Sequence, residues 1–358
     1  MRSCPERVVA SLLLAAVLGL GCVSEPYEYS RDVDGELTLG LRPGEEQIER
    51  GRPNAFLDGI GHYLISLPSK ILLLHWNVNN HRISPETEAA LRVYLEENDL
   101  ASVKVRLNQY APGGEWRRLA NNRDVGAFWR WSFGAIATTF YTILPGRFFA
   151  GFLGGDNYNP YTNSIHIYSD NLPVVLHEAG HAKDFASKSN RHWRGGYAAL
   201  RILPLVPLWQ EAVASNDAIS YLYEKDDVPG RKSAYRTLYP AYGTYVGSVG
   251  DPYLRYVPLG PGWVGLVIAY GPVVVGHVVG QTRALFVSPR DDLAVRPEWP
   301  PPLAPPVAPP VTPMETQAEP APEREPEAEL EPEPASAPEP ASDPGSDPDG
   351  RSGTTVPR

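Results

Sequence analysis

Cysteine is almost absent: the 358-residue chain has two, Cys4 and Cys22, and none beyond residue 22. A disulfide framework and any cysteine-ligated metal are thereby excluded from everything that follows. A basic excess is missing as well. The net charge is -10, and residues 297–358, with thirteen acids against three cations, carry all of it, so the body is close to neutral. Without a cationic surplus there is no electrostatic footprint for nucleic acid, and no nucleic-acid partner is expected. Charge of either sign is absent from Tyr256 to Thr282. A stretch of that length and composition must find apolar surroundings, whether protein core or membrane.

What the chain does have is a pair of histidines at helical spacing, in the run His177-Glu178-Ala179-Gly180-His181. Residues four apart share one helix face, so both imidazoles can reach one metal while Glu178 leans toward a water beside it. A catalytic zinc takes three protein ligands and leaves a position open. Glu211, on a second predicted helix 30 residues after His181, is the candidate third ligand, and Pro204 and Pro207 supply the turn that brings this helix back. Asp217 is its rival. It lies six positions further along and faces away from Glu211, so at most one of the two points at the metal. Ser215 shares the face of Glu211 and could support a ligand from behind, or be a small residue at a helix contact. Asp184 is either a group that orients an imidazole or a surface partner of Lys183 or Lys188. In this chemistry Glu178 is the base that takes a proton from water and returns it to the leaving amine. A donor for the developing oxyanion is sought among His192, Tyr197, Tyr221, Tyr235 and Tyr242. His166 reads as structural, and His62, His75, His81 and His277 lack metal-like spacing. Gly180, inside the helix, implies close approach of another backbone.

The chain around this run is organised in four parts. Residues 1–21, with Arg2 and Arg7 before the apolar run Val8–Leu20, read as an export signal. Its end, Leu18-Gly19-Leu20-Gly21-Cys22, resembles a bacterial lipobox, which implies cleavage and lipidation of Cys22, although Gly19 stands where leucine is usual. A secreted form and a retained membrane helix are the alternatives. Residues 22–50 read as a polar tether, 51–290 as the folded domain, and 291–358 as a disordered Pro/Glu/Ala-rich tail. Within the domain, Ile71–Val78 reads as a buried strand and Ser84–Asn98 as a capped helix. Val103–Leu107 reads as a strand with one wet face, and together the three make a β-α-β unit. The apolar stretch Ala127–Leu153 is expected in core or interfacial contact. Asp156–Pro160 reads as a turn, Ser164–Tyr168 as an edge strand able to pair with extended peptide, and Asp170 as the cap of the histidine helix. The segment 256–282, with the pair Gly276 and Gly280, can span a membrane, touch it peripherally, or sit in the core.

The run His177–Asp184 (HEAGHAKD) is similar to the HExxHxxD pattern of lethal-factor-like and Mlc titration factor-like peptidases, within the gluzincin branch of zinc metallopeptidases. Glu211–Ser215 (EAVAS) resembles the helix that carries their glutamate ligand. The likeness covers roughly Ser164–Leu222. It implies an α+β, zincin-like core with a small mixed sheet, zinc held by His177, His181 and Glu211, and Glu178 as base. It also implies a peptide or protein substrate, and the lipobox-like end at Cys22 places the protein in the bacterial envelope, lipid-anchored and expected at the outer membrane facing periplasm or exterior. Ser215 stands where many gluzincins carry an acid, and Pro204 where some carry a tyrosine. The reading from a different class is a non-catalytic envelope or membrane-associated protein with a structural or relic metal site.

Overall fold

Short runs of aliphatic and β-branched residues alternate here with longer helical segments, and the runs assemble into one sheet. In the computed structural model the described residues are 27–29, 37, 39–143, 155–203, 205–254, 263–293 and 299. Contacts divide the chain into two units, Met1–Pro305 and Pro306–Arg358, and every described residue belongs to the first. The expected signal 1–21, Cys22, Pro204 and most of the expected tail lie outside the described residues.

The order begins with β1 (Ile48–Arg50), α1 (Ala55–Ile60), a π-helical turn at Gly61–Ile65, α2 (Leu67–Leu73), α3 (Pro85–Glu97), β2 (Lys104–Leu107) and α4 (Pro112–Asn121). A helical stretch with a π turn at Arg130–Gly134 joins α5 (Ala127–Trp129) to α6 (Ala135–Ile143), and β3 (Asn157–Asn159) and β4 (Ser164–Ile167) follow. The chain then runs through α7 (Leu172–Ala186), α8 (Arg191–Ala199), a 3-10 turn at Leu200–Ile202, α9 (Val206–Glu224), α10 (Val228–Leu254) and α11 (Trp263–Leu285). The fold is α+β, mostly helical, with a four-stranded mixed sheet in the order β1-β2-β4-β3. β1, β2 and β4 are parallel, and β3 is antiparallel to β4. Leu91, Tyr94 and Leu95 of α3 and Val175, Leu176 and Ala179 of α7 are buried in the core, together with Val105, Ile165 and Ile167 of the sheet. Their burial fixes the histidine helix against the sheet, because a packed interior tolerates little displacement.

Several expectations change. Ile71–Val78 is not a strand. Its first residues complete α2, which ends at Leu74 in a left-handed conformation (φ 50°). A short apolar run does not distinguish strand from helix by periodicity alone. The β-α-β unit nevertheless exists, with β1 as its first strand, so the stretch 22–50 is not wholly a tether. Leu39 and Tyr27 are also buried in the body, the Leu39 N–H donating to Asp124 Oδ2 at 2.8 Å. β2 has no wet face: Lys104 and Arg106 are buried and paired, Lys104 Nζ with Glu49 Oε1 at 2.6 Å and Arg106 Nε with Glu115 Oε1 at 2.7 Å. β4 is not an edge strand, since β2 and β3 flank it. The outer strands are β1 and β3, the latter in the segment expected as a turn. Trp299, in the expected tail, packs edge-on against Tyr221 and donates to Asp227 Oδ2 at 3.1 Å.

Candidate metal centre

α7 begins where the Asn171 side chain accepts the Val174 N–H at 3.3 Å, with Pro173 in the first turn. Asp170 is therefore not the cap. Its Oδ1 instead accepts from Ser84 N, Ser84 Oγ and Thr87 Oγ1 at 3.0, 2.8 and 2.7 Å, joining the start of α3 to the start of α7. α9 crosses α7 closely at Gly180, where a Cβ would stand 3.2 Å from the Ala214 carbonyl oxygen. That approach carries Glu211 onto the histidine pair.

Nε2 of His177 lies 3.0 Å from Glu211 Oε2, and Nε2 of His181 lies 3.4 Å from Glu211 Oε1. The two rings meet edge to face at 4.6 Å. Ligand atoms of the three side chains lie within 4.8 Å of one another, and all three residues are buried. Asp217 is elsewhere: it pairs with Lys183 Nζ at 2.7 Å and accepts from the Tyr94 hydroxyl. Ser215 Oγ stands 3.2 Å from His177 Nδ1, behind the ring. Asp184 bonds Lys188 Nζ at 2.8 Å and the Tyr197 hydroxyl, a pairing with one of its two expected lysines that is half-buried rather than exposed.

Burial governs the electrostatics, and local charges then decide direction. Desolvation pulls His181 down to about 4, which keeps its ring neutral and its lone pair available. Desolvation also lowers His177, but the hydrogen bond and charge of Glu211 outweigh it and the net shift is upward. Burial would raise Glu211, yet the two histidines hold it well below the usual carboxylate range. Glu178 is raised to about 7 by desolvation, with the charges of Glu211 and Asp156 adding to it. Two imidazoles and an ionised carboxylate converging in a buried pocket form a donor set suited to a divalent ion such as zinc, so the residues present could hold one.

His177, Glu178, Glu211 and Ser215 line one cleft of about 450 Å³. α2 contributes Ser69, Leu72 and Leu73 to it, Gly155 and Asp156 lead from it into β3, and α10 contributes Leu238, Tyr242 and Tyr245. Of the oxyanion candidates, the structure brings only Tyr242 to the cleft. Tyr197 and Tyr221 are hydrogen-bonded to Asp184 and Glu97, His192 lies against Gly126, and Tyr235 packs against Tyr239. His166 is fully buried, 3.4 Å from Glu115.

Two residues beside the ligands carry no spacing signal. Arg201 Nη2 is 2.5 Å from Glu211 Oε1. The charge of Glu211, with burial, pushes the Tyr245 hydroxyl well above its ordinary value. Tyr245 follows Tyr242 by three residues, and only that helical repeat in a tyrosine-rich stretch hinted at it. No family model matches this chain, and neither curated proteins nor solved structures give a match.

Proposed function

We propose that the protein is a zinc-dependent metallopeptidase of the bacterial envelope, with a zincin-like core and a lipid anchor at Cys22. The observation that supports the reading most directly is the convergence of His177, His181 and Glu211 at one buried point, with Glu178 in the same cleft. Those three side chains would hold the ion, whose bound form supplies Lewis acidity toward a carbonyl and a more acidic water. Glu178 takes a proton from the attacking water and delivers it to the leaving amine. Burial raises the Glu178 carboxyl and the ion's charge would lower it, opposing influences that suit a group which both takes and returns a proton. Tyr242 and Tyr245 line the cleft, and their hydroxyls are the candidate donors for the developing oxyanion. Ser215 orients His177 from its far nitrogen. β3, an outer strand entered from Gly155 and Asp156 of the cleft lining, is the strand on which an extended substrate would pair.

The test is Glu178→Gln. The variant is expected to keep one zinc per chain by elemental analysis while hydrolysis of a peptide library falls by about 10²–10⁴-fold. His181→Ala is expected to lose the metal. If Glu178→Gln leaves every measured activity unchanged, the centre is structural and the non-catalytic reading takes over.

A further inference from the structure

α11 contains a 21-residue stretch, Gly265–Leu285, long and apolar enough to cross a bilayer, and only 24% of its most apolar window is buried. A core helix of that composition would be mostly enclosed. Its packing against α10 runs through glycine. A Cβ at Gly243 or Gly276 would stand 2.5 Å from a carbonyl oxygen of the opposite helix, and one at Gly247 or Gly280 closer still, at 2.0 and 2.2 Å. The two backbones therefore touch, with Val273 and Tyr239 buried beside the seam and other large side chains of α11 facing outward. Val274 and Val278 are 61% and 62% exposed. This is how helices pair where the surroundings are as apolar as the side chains themselves.

The exposed apolar face does not end with α11. His277 Nε2 lies 2.8 Å from the Leu72 carbonyl oxygen, which ties α11 to α2. There Ile71 and Leu74 are 64% and 72% exposed, and Trp76 follows. The one cation of α2, Lys70, is turned inward, its Nζ donating to Ser66 Oγ at 2.6 Å and to the Val78 and Asn79 carbonyls. One turn beyond His277, Gln281 Oε1 accepts from the exposed Arg236. The hairpin is uncharged only from Thr237 to Gly250 on α10 and from Trp263 to Thr282 on α11, bounded by Arg236 and Arg283 at its base and by Asp251 toward its tip. The apolar stretches suit hydrocarbon, and the basal cations, with the tryptophan after α2, suit the headgroup and interface.

α2 and α10 also form two walls of the metal cleft. We infer that α2 and the α10–α11 hairpin are a bilayer-docking collar beside the cleft. Its substrate, taking the site as a peptidase, is a polypeptide segment held at the membrane surface. A monomer seated this way needs no protein partner to cover the face, and a lipid on Cys22 would act as a second, independent anchor of the kind stable attachment requires.

The chain has no cysteine beyond Cys22, so V274C, I71C and R92C can each carry an environment-sensitive fluorophore in the full chain, with the parent chain as background. On vesicles of phosphatidylethanolamine and phosphatidylglycerol, the labels at 274 and 71 are expected to shift to the blue and be quenched by nitroxide lipids. The label at 92, on the exposed side of α3, is expected to do neither. If all three stay in water, the collar does not dock. If 274 and 71 shift without vesicles and in proportion to protein concentration, a second copy covers the face, and the inference is again overturned. V274E/V278E is expected to abolish the shift at 71 while leaving the far-ultraviolet circular dichroism unchanged.

The substrate clause is read separately. A peptide fused to a vesicle-anchored helix is expected to be cut roughly tenfold or more faster than the free peptide, and V274E/V278E to remove that advantage while preserving the free-peptide rate. Equal rates for both peptides overturn the clause. Cleavage of neither peptide sinks the peptidase reading, while the fluorescence still decides the docking.

Discussion

Ser215 stands 3.2 Å behind His177 Nδ1 while the other ring nitrogen faces Glu211. For Nε2 to offer its lone pair to a metal, Nδ1 carries the proton, and Ser215 Oγ is its acceptor. Ser215→Ala leaves that N–H without a partner in a buried site. The expected outcome is a zinc affinity about 10–100-fold weaker in competition with a chelator, with circular dichroism unchanged. An unchanged affinity would make Ser215 a small residue at a helix contact and nothing more. The histidine pair and Glu178 were legible because a helix enforces the four-residue repeat locally. Glu211 needed a second helix and a turn, and the proline pair announced both. Tyr245 and Arg201 reach the site only through packing of α10 and the turn before α9, which no spacing encodes.

At the scale of elements, Gly180 is where α7 and α9 touch, with Ala214 Cα 3.3 Å and its carbonyl oxygen 3.2 Å from the missing Cβ. These neighbours are backbone and cannot rotate aside, so Gly180→Val must push the helices apart. The expected loss is about 1–3 kcal/mol in urea unfolding, with weaker zinc binding because the push separates Glu211 from the histidines. The glycine was readable in the sequence as a misfit in a helix, and its cause is this crossing. β2 was misread for the opposite reason. Lys104 and Arg106 alternate with Val103, Val105 and Leu107 like a solvated face, yet α4 and the β1 segment supply Glu115 and Glu49 to neutralise them. Alternation reports polarity, and a buried ion pair has the same polarity as a wet one.

That buried pairing has a pH signature. Burial by itself would raise Glu115, but the charge and hydrogen bond of His166, with Arg106, hold its carboxyl down at about 2. A carboxylate lowered in the folded state stabilises fully above its unfolded value near 4.5, and the contribution is lost as pH falls from there toward 2. The expected size is about 3 kcal/mol. Urea midpoints of the parent chain between pH 6 and pH 2 should show this loss, and those of Glu115→Gln should lack it while starting lower. Equal slopes in the two proteins would place the acid sensitivity elsewhere.

At the scale of the molecule, two residues far apart in sequence meet on the ligand helix. Tyr27 and Trp299 both pack edge-on against Tyr221 of α9, at 5.1 and 5.4 Å. Neither contact was legible, because Tyr27 and Trp299 sit in polar or proline-rich stretches whose composition argues for disorder. The consequence is that α9 carries Glu211 near its start and, at Tyr221 near its end, seats both Tyr27 and Trp299. A metal that needs both α7 and α9 in place binds the folded state and not the unfolded one, so it stabilises the whole unit by mass action. At zinc a hundredfold above its Kd the gain is about 2.7 kcal/mol, which for a unit of this size raises Tm by roughly 5–10 °C. Glu178→Gln should show the full rise, since its carboxylate is not a ligand. His181→Ala should show none, and Trp299→Ala should start from a lower Tm yet gain the same increment. A zinc-independent Tm in the parent chain would mean that the three side chains do not act as one ligand set.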